Sequence, residues 1–344
     1  MSGKALTERG SLVHCPRCME LLLKKSQWQN LLDNRSEPLE VPEHFSMPVD
    51  WDPRYVWTVR KPLIVEGTAT FENAPVKITF YPQKGSRPMF YLEDGKSRGR
   101  ALRPRNLIHG TNNIQLGPIK IIEHPIALMH ALNLDIDIGI TLSSFPTFNE
   151  CNGPFLDALV HHVRKTRRRA SHFTVARPVA FRFETGYCII EPDENRLWMD
   201  HEIDYPGVLG RQRIQTEINP QFFFFLGRAR TPSFRSVQET DEIIKGARAG
   251  ALPFPVNEEN VLFADVNGLR NPREIFDWHG HNYEFILHEL IDVMAFLKIV
   301  ESELGGRFRG KLTTYRYGHE QQIEVAQAMV DRQFQKDHGY RWLD

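Results

Sequence analysis

The sequence predicts an α+β protein made of two domains of similar architecture that pack on each other and share a site at their interface. The length of 344 residues suits about two domains of ordinary size. Stretches typical of strands and helices follow a similar order in both halves: strands, a helix, more strand and a second helix. A hydrophobic content of 41% is ordinary for proteins that bury substantial cores.

Residues 1–60 are predicted to form an N-terminal extension. Cys15 and Cys18 make one CxxC pair there, which is half of a closed zinc site, and no second pair follows at finger-like spacing. A reduced thiol pair is therefore favoured over a structural zinc site. A short helix is expected from Met19 to Leu32, before a proline-rich polar stretch.

The first domain is predicted to span residues 61–170. After strands at Ile64–Phe71 and Val76–Tyr81, a helix is expected at Glu123–Ala131, followed by the clearest strand, Leu132–Leu142. Apolar residues occupy every second position of that strand, which predicts one buried and one exposed face.

A second helix is expected from Pro154 to about Arg167, ending in the basic run His161–Ala170. Such a run is usually a solvated helix end or linker, although it can also grip phosphate. We therefore place the domain boundary in this run.

The second domain is predicted to span residues 171–344. Its long helix ends before Gly305 and Gly306, a typical C-terminal signal. The expected strands are Thr174–Phe183, Tyr187–Ile190, Arg196–Ile203, Gln212–Ile218 and Gly310–Tyr317. The expected helices are Pro232–Ala249, Asn282–Leu304 and Glu320–Gln335.

Charge and composition narrow the class of partner. Lysine plus arginine and aspartate plus glutamate are both 43, so no chain-wide attraction to nucleic acid is expected. No apolar run is long enough for a transmembrane helix, and the start lacks the apolar core of a secretory signal. Four cysteines are too few and too scattered for a disulfide framework. We predict a cytoplasmic protein with a small-molecule substrate; the oligomeric state is not indicated.

His288 and Asp292 are the first candidate metal ligands. They lie four residues apart on the predicted long helix, so their side chains share one face. Imidazole and carboxylate both suit zinc, and a catalytic site needs a third protein ligand and an open position. Alone, the pair is more often structural.

Glu123 and His124 stand where a strand passes into a helix, so they are candidates for a base and the third ligand. Zinc lowers the pKa of water towards ~7, so a glutamate suffices as base. The plainer alternative is an acid favoured by a helix start beside an incidental histidine. His319, on a Gly-His turn, is a candidate general acid.

Together these residues resemble the UDP-3-O-acyl-N-acetylglucosamine deacetylases, the zinc amidases of lipid A biosynthesis. The resemblance runs from about residue 62 to 335 and rests on five motifs in the family's order. They are a Glu-His helix, a loop and helix start, an Ala-Arg-Thr segment, a His-x-x-x-Asp helix and a Gly-His turn: Ile122–Leu132, Phe145–Phe155, Arg228–Phe234, His288–Asp292 and Thr314–His319.

The resemblance implies two α+β domains, each a small sheet layered with helices, packed face to face around a zinc site. It implies a zinc ion as cofactor, bound by His124, His288 and Asp292. It implies that Glu123 is the general base and that His319 assists departure of the amine. It also implies that the hydroxyl of Thr231 polarises the scissile carbonyl. Three further residues stand at possible substrate-binding positions: Arg230, Glu289 and Phe296.

Two of these positions depart from the family pattern. Glu289 replaces a lysine, and like charges at ~4 Å cost on the order of 4 kcal/mol at an effective dielectric near ~20. Phe296 replaces an aspartate that supports the catalytic histidine, so the imidazolium form of His319 is expected to be weakened.

The predicted function is hydrolysis of the acetamide of an N-acetylated sugar. The substrate is either UDP-3-O-acyl-N-acetylglucosamine in lipid A biosynthesis or a different N-acyl compound in a specialised pathway. A metal-retaining binding protein without catalysis, and an inherited fold without metal, are the alternatives.

Overall fold

The computed structural model describes residues 19–343 apart from 23, 43, 44, 96, 97 and 111. The described chain is a mixed α/β protein with several small sheets. Eight α-helices lie in this part of the chain: α1 Lys25–Trp28, α2 Glu123–Ala131, α3 Gly153–Val160, α4 Pro220–Leu226, α5 Val237–Arg248, α6 Glu284–Leu304, α7 His319–Val330 and α8 Arg332–Asp337.

The first large sheet has five strands, in the spatial order Leu63–Thr68, Pro75–Pro82, Ile136–Ile140, Met89–Leu92 and Arg100–Ala101. The central strand Ile136–Ile140 pairs parallel with one neighbour and antiparallel with the other. Both of its faces are buried, so the predicted exposed face is wrong. Asp137 tolerates this burial because its carboxylate accepts the backbone N–H groups of Met89 and Lys84.

The second large sheet has six strands, in the spatial order Glu20–Leu22, Val179–Arg182, Tyr187–Glu191, Gly310–Tyr315, Leu197–Asp204 and Arg211–Glu217. Gly310–Tyr315 pairs parallel with Leu197–Asp204 and antiparallel with Tyr187–Glu191, so it is hydrogen-bonded on both sides. A strand held in this way fixes the segment that follows it, which leads into α7.

The remaining strands form small sheets and ribbons: Tyr55–Val59 with Val163–Arg169; Arg307–Phe308 with His172–Val175 and Tyr340–Trp342; Thr231–Phe234 with Val261–Asp265 and Gly268–Leu269; Asp277–Trp278 with His281–Asn282; and Leu107–Gly110 with Asn113–Leu116 and Ile119–Lys120. The basic run is therefore not a helix end or linker. Its central part is a strand that pairs antiparallel with Tyr55–Val59.

The N-terminal segment packs on the second large sheet. Glu20–Leu22 forms an edge strand, and Arg35 is buried in ion pairs with Asp200 and Glu202. The helix expected at Met19–Leu32 is reduced to the single turn of α1 and a 3-10 turn at Gln29–Leu32. The CxxC pair lies outside the described residues.

Helices α2 and α6 pack against each other and carry most of the candidate site. All nine residues of α2 are buried, and its predicted bounds are confirmed. Helix α6 is apolar around most of its circumference, which is typical of a buried helix. It ends, as predicted, at Gly305, whose φ of 87° is left-handed.

In the described part of the chain, no helix has both the length and the apolarity needed to cross a membrane. The cytoplasmic location and the domain bounds at residues 60 and 170 stay predictions.

Candidate metal centre

His288 and Asp292 lie one turn apart on α6, and both are buried. The His288 Nε2 atom is 4.0 Å from the Asp292 Oδ2 atom. On its other side, His288 Nδ1 is 3.0 Å from the carbonyl oxygen of Ala229, to which a protonated Nδ1 donates. That bond fixes the ring and leaves the Nε2 lone pair facing Asp292, the arrangement of a metal-binding histidine.

His124 reaches the same place from the first turn of α2. Its ring centroid is 5.1 Å from that of His288, with the two planes at 82°. The chain enters α2 through Ile121, whose φ of 62° is left-handed. This conformation is unfavourable for a β-branched residue, and such strain is kept mainly where the surroundings require it.

Glu123 lies beside His124 and is almost fully buried. Its Oε2 atom accepts the backbone N–H of Ile114 at 2.9 Å. Burial raises the pKa of this carboxyl to about 7, the charge of His319 opposes the shift, and the charge of Asp292 adds to it. Glu123 therefore lies within electrostatic reach of both groups.

His319 is the first residue of α7 and faces Asp292 across the site. Its Nε2 atom is 3.7 Å from Asp292 Oδ2, and its Nδ1 atom is 3.2 Å from Gln322 Oε1. The expected weakening of the His319 imidazolium through Phe296 stays a prediction, because the Asp292 carboxylate beside His319 is itself a proposed metal ligand. The side-chain amide of Gln322 was not predicted from the sequence.

Cys151 is a further candidate ligand that the sequence reasoning missed. One ligand atom from each of three buried residues, His124, Cys151 and His288, lies within 4.8 Å of the other two. Burial raises the pKa of the Cys151 thiol, and the charges of Asp292 and Glu123 raise it further. The thiol lies in the Phe145–Phe155 motif, but no local pattern marks it as a ligand.

The charges of the site fit a cation. Burial raises the pKa of Asp292 well above its usual range, and the charge of Glu289 raises it further. Within the described residues, Asp292 Oδ1 has no hydrogen-bond partner. Burial lowers the pKa of His288 to about 4 and also lowers that of His124, so both rings are neutral donors. Neutral imidazoles beside a buried carboxylate with one unpaired oxygen suit a divalent metal ion.

Arg230 holds the segment beside the site in place. Its guanidinium pairs with Glu284 at the start of α6, with an Nε–Oε1 distance of 2.7 Å, and donates to the carbonyl oxygens of Glu258 and Asn271. All three guanidinium nitrogens are thus engaged within the protein. This geometry favours a supporting role for Arg230, which holds the Ala229 carbonyl against His288, over the predicted substrate contact.

Thr231 follows directly, at the start of the strand Thr231–Phe234, which packs against α6. Its hydroxyl oxygen is buried and has no hydrogen-bond partner among the described residues. A buried hydroxyl without a partner is costly, so it is available to a ligand.

Glu289 and Phe296, the other predicted substrate contacts, lie in different surroundings. Glu289 is half-buried beside Tyr205, with its Oε1 atom 3.4 Å from the Tyr205 hydroxyl. Burial raises the pKa of Glu289, and its charge is the main cause of the raised pKa of Tyr205. Phe296 is fully buried, with its ring packed edge-on to Tyr317 at 5.9 Å. Phe296 is therefore a core residue, with no surface open to a substrate.

The protein has a mixed α/β fold, and this cluster contains the kinds of ligand and acid–base side chains that metal-dependent hydrolases use. The chain belongs to the UDP-3-O-acyl N-acetylglycosamine deacetylase family, whose model matches residues 57–331. The family is thus the one that the sequence motifs resemble.

Curated relatives carry the same name at low identity. The UDP-3-O-acyl-N-acetylglucosamine deacetylase of Aquifex aeolicus is 22% identical over 80% of this chain and 93% of its own length. That of Bdellovibrio bacteriovorus is 24% identical over 83% of this chain and 92% of its own length.

Proposed function

We propose that this chain is a zinc-dependent deacetylase that hydrolyses the acetamide of an N-acetylated sugar. The observation that carries the proposal is the unbalanced cluster between α2 and α6. Neutral, buried His124 and His288 stand beside the buried Asp292 carboxylate, whose Oδ1 atom has no hydrogen-bond partner among the described residues. A divalent cation removes that imbalance, and its absence would leave the carboxylate costly to bury.

The metal ligands proposed from the sequence are His124, His288 and Asp292. Zinc bound there would supply Lewis acidity, which polarises a carbonyl and makes water a stronger acid. The fit rests on the donor types and on the ring orientation that the Ala229 carbonyl gives to His288.

Three side chains around the ligands carry out the proton transfers and polarise the carbonyl. The Glu123 carboxylate takes a proton from the attacking water, and the Ile114 N–H holds it in place. Thr231 donates its free hydroxyl to the carbonyl oxygen of the acetamide, where negative charge develops. His319 Nε2, which lies 3.7 Å from Asp292 Oδ2, gives a proton to the nitrogen as the C–N bond breaks. The products are acetate and a free amine.

The substrate follows from the relatives' names and from one departure. The curated relatives are named for UDP-3-O-acyl-N-acetylglucosamine, and lipid A biosynthesis is the corresponding role for this chain. The half-buried carboxylate of Glu289, one residue after a proposed ligand, instead favours a less anionic N-acyl substrate. These are the two substrates to be separated.

The proposed architecture keeps two domains, residues 61–170 and 171–344, with the site between them. Support comes from the two large sheets, which are otherwise antiparallel and contain one parallel pair each. The proposed base Glu123 and the proposed ligand His124 come from the first range, and the proposed ligands His288 and Asp292 come from the second.

The function is tested by metal content and by acetate release. We expect about one zinc per chain after purification without chelator, and loss of that zinc in His288→Ala. Purified protein is then given UDP-3-O-acyl-N-acetylglucosamine, UDP-N-acetylglucosamine and uncharged N-acetylated sugars. Release from the first alone supports the lipid A role, and release from uncharged sugars supports the alternative. Bound zinc without release from any of them would make the chain a binding protein; zinc content unchanged in His288→Ala would refute the site.

A further inference from the structure

We propose that Cys151 is a metal ligand in this chain, with its Sγ atom bound to the same ion as His124 and His288. The inference rests on the proposed function, because it assumes that these residues hold a metal. It adds a sulfur donor to a ligand set that otherwise contains only nitrogen and oxygen.

The ligand atoms of the three side chains lie close enough together to bind one metal ion. The candidate ligand atoms of Cys151, His124 and His288 lie within 4.8 Å of one another, and all three side chains are buried. Two donors on one tetrahedral zinc ion lie roughly 3.5 Å apart, as follows from Zn–S and Zn–N lengths of about 2.3 and 2.1 Å. Side-chain adjustments of about 1 Å would therefore bring the three atoms to bonding distance.

The backbone of Cys151 has a left-handed conformation. Its φ is 45°, in the left-handed region where glycine is favoured and where a residue with a β-carbon carries strain. If only a small buried residue were needed, glycine would fill this position without strain. The strained conformation is kept because the side chain at this position is required.

The position of the thiol is also fixed by its neighbours. The Cys151 N–H donates to the carbonyl oxygen of Phe148, and the Asn152 N–H donates to that of Gly227 at 2.8 Å. The second bond ties this loop to the segment that contains Ala229, whose carbonyl orients His288. The thiol and the His288 ring are thus held by one short stretch of backbone.

A thiolate changes what the site prefers. The thiol proton leaves to solvent when the metal binds, and the anionic sulfur shares charge with a soft ion. Sulfur donors favour zinc and cobalt over magnesium, calcium or manganese.

Cobalt binding by the full-length chain tests the proposal directly. Thiolate bound to Co²⁺ gives a charge-transfer band in the near ultraviolet, and nitrogen or oxygen donors do not. The background is a Cys15→Ser/Cys18→Ser protein, because the CxxC pair can bind cobalt through its own sulfurs. We expect the metal-depleted background protein to show the band with Co²⁺, and Cys188→Ala, a control for the other buried thiol, to retain it.

The variants Cys151→Gly and Cys151→Ser then assign the band. Glycine is the first choice, because the φ of 45° suits it and the variant should fold. We expect both to lose the band and to bind Zn²⁺ at least roughly 10-fold more weakly in competition with a chelator, the lower end of what even an outer-shell change costs.

The outcomes separate this proposal from the function. Bound Co²⁺ without the band, or a band that persists in Cys151→Gly, overturns the role of Cys151 and leaves a nitrogen–oxygen metal site in place. A background protein that binds neither Co²⁺ nor Zn²⁺ refutes the metal centre itself. The first measurement needs no substitution at Cys151, so misfolding of a variant does not obscure it.

Discussion

The contact between α2 and α6 buries one glutamate near each of its ends, and the two carboxyl groups respond in opposite ways. Glu123 and Glu301 are each 2% exposed. Burial raises the pKa of Glu123 to about 7. Burial acts in the same direction on Glu301, yet the charge and hydrogen bond of His130, with the charge of Arg307, lower its pKa to about 2.

The difference lies in the partners. At the far end of the contact, Glu301 Oε1 is 3.0 Å from His130 Nδ1 and accepts the Phe308 N–H at 2.8 Å, and its Oε2 atom accepts from Arg307 at 3.0 Å. At the near end, the charge of Glu123 is met by a second acid, Asp292, as well as by His319. The charge of Glu301 is balanced by protein groups alone, whereas the acids at the Glu123 end require a further positive charge.

Burial of an acid therefore does not by itself mark a functional site. A buried carboxylate whose bonds are complete contributes to the fold, whereas one that lacks a compensating charge is retained against stability. The same two helices show both cases, so matched substitutions at Glu123 and Glu301 should separate catalysis from stability.

The largest expected effect is on turnover in Glu123→Gln. Removal of a general base typically costs about 10²–10⁴-fold in rate. The amide keeps the size of the side chain, so zinc content should remain at the wild-type value. Acetate release and metal analysis are measured together, with Glu301→Gln as the matched control that keeps its turnover. Wild-type turnover in Glu123→Gln would remove Glu123 from the mechanism.

The second effect is on the stability of Glu301→Gln. Removal of one partner from a buried ion pair typically costs about 3–5 kcal/mol, because the remaining charge is left unpaired. Here His130 and Arg307 lose the carboxylate between them. Urea unfolding of the metal-loaded protein measures the loss, and the unfolding free energy of Glu123→Gln serves as comparison. A loss no larger in Glu301→Gln than in Glu123→Gln would contradict the division into two ends.

The third effect is the acid sensitivity that Glu301 confers. Its folded pKa of about 2 lies below the ordinary value of 4.5. The ionised form therefore stabilises the fold above pH ~4.5, and that contribution is lost as the pH falls from ~4.5 towards ~2. The shift corresponds to about 3 kcal/mol. Unfolding free energies measured between these values should fall more steeply in the wild type than in Glu301→Gln; parallel profiles would be evidence against the shift.

Local patterns predicted the helices that carry the site and the spacing of His288 and Asp292 along one of them. The bounds of α2 and the glycine stop of α6 followed from hydrophobic periodicity and end signals, which act over a few residues. The same local patterns predicted a helix end or linker for the basic run, and that prediction was wrong. Its pairing with Tyr55–Val59 joins residues about a hundred positions apart, and only the folded chain brings them together.

The same limit explains which site residues were missed. Cys151 meets His288 across more than a hundred residues, and its positive φ has no signature in the neighbouring letters. The sequence indicated only that Phe296 removes the family's supporting aspartate; that the Asp292 carboxylate lies 3.7 Å from His319 Nε2 is known from the structure. Residue type and spacing indicate candidate site residues. Whether each buried polar group has all its hydrogen-bond and ion-pair partners is known only from the structure.

The smallest expected effect is a change of substrate preference in Glu289→Lys, beside the proposed metal ligands. The Glu289 carboxylate adds to the negative charge beside Asp292. Reversing its charge should favour an anionic sugar nucleotide over an uncharged N-acetylated sugar, and solvent screens this half-buried side chain, so we expect about 1 kcal/mol, a several-fold change in kcat/KM. Glu289→Gln should give an intermediate ratio between the two substrates. If both variants change the two substrates equally, the carboxylate acts on the metal ligands and not on substrate choice, since a charge that reads the substrate must distinguish a diphosphate from a neutral sugar.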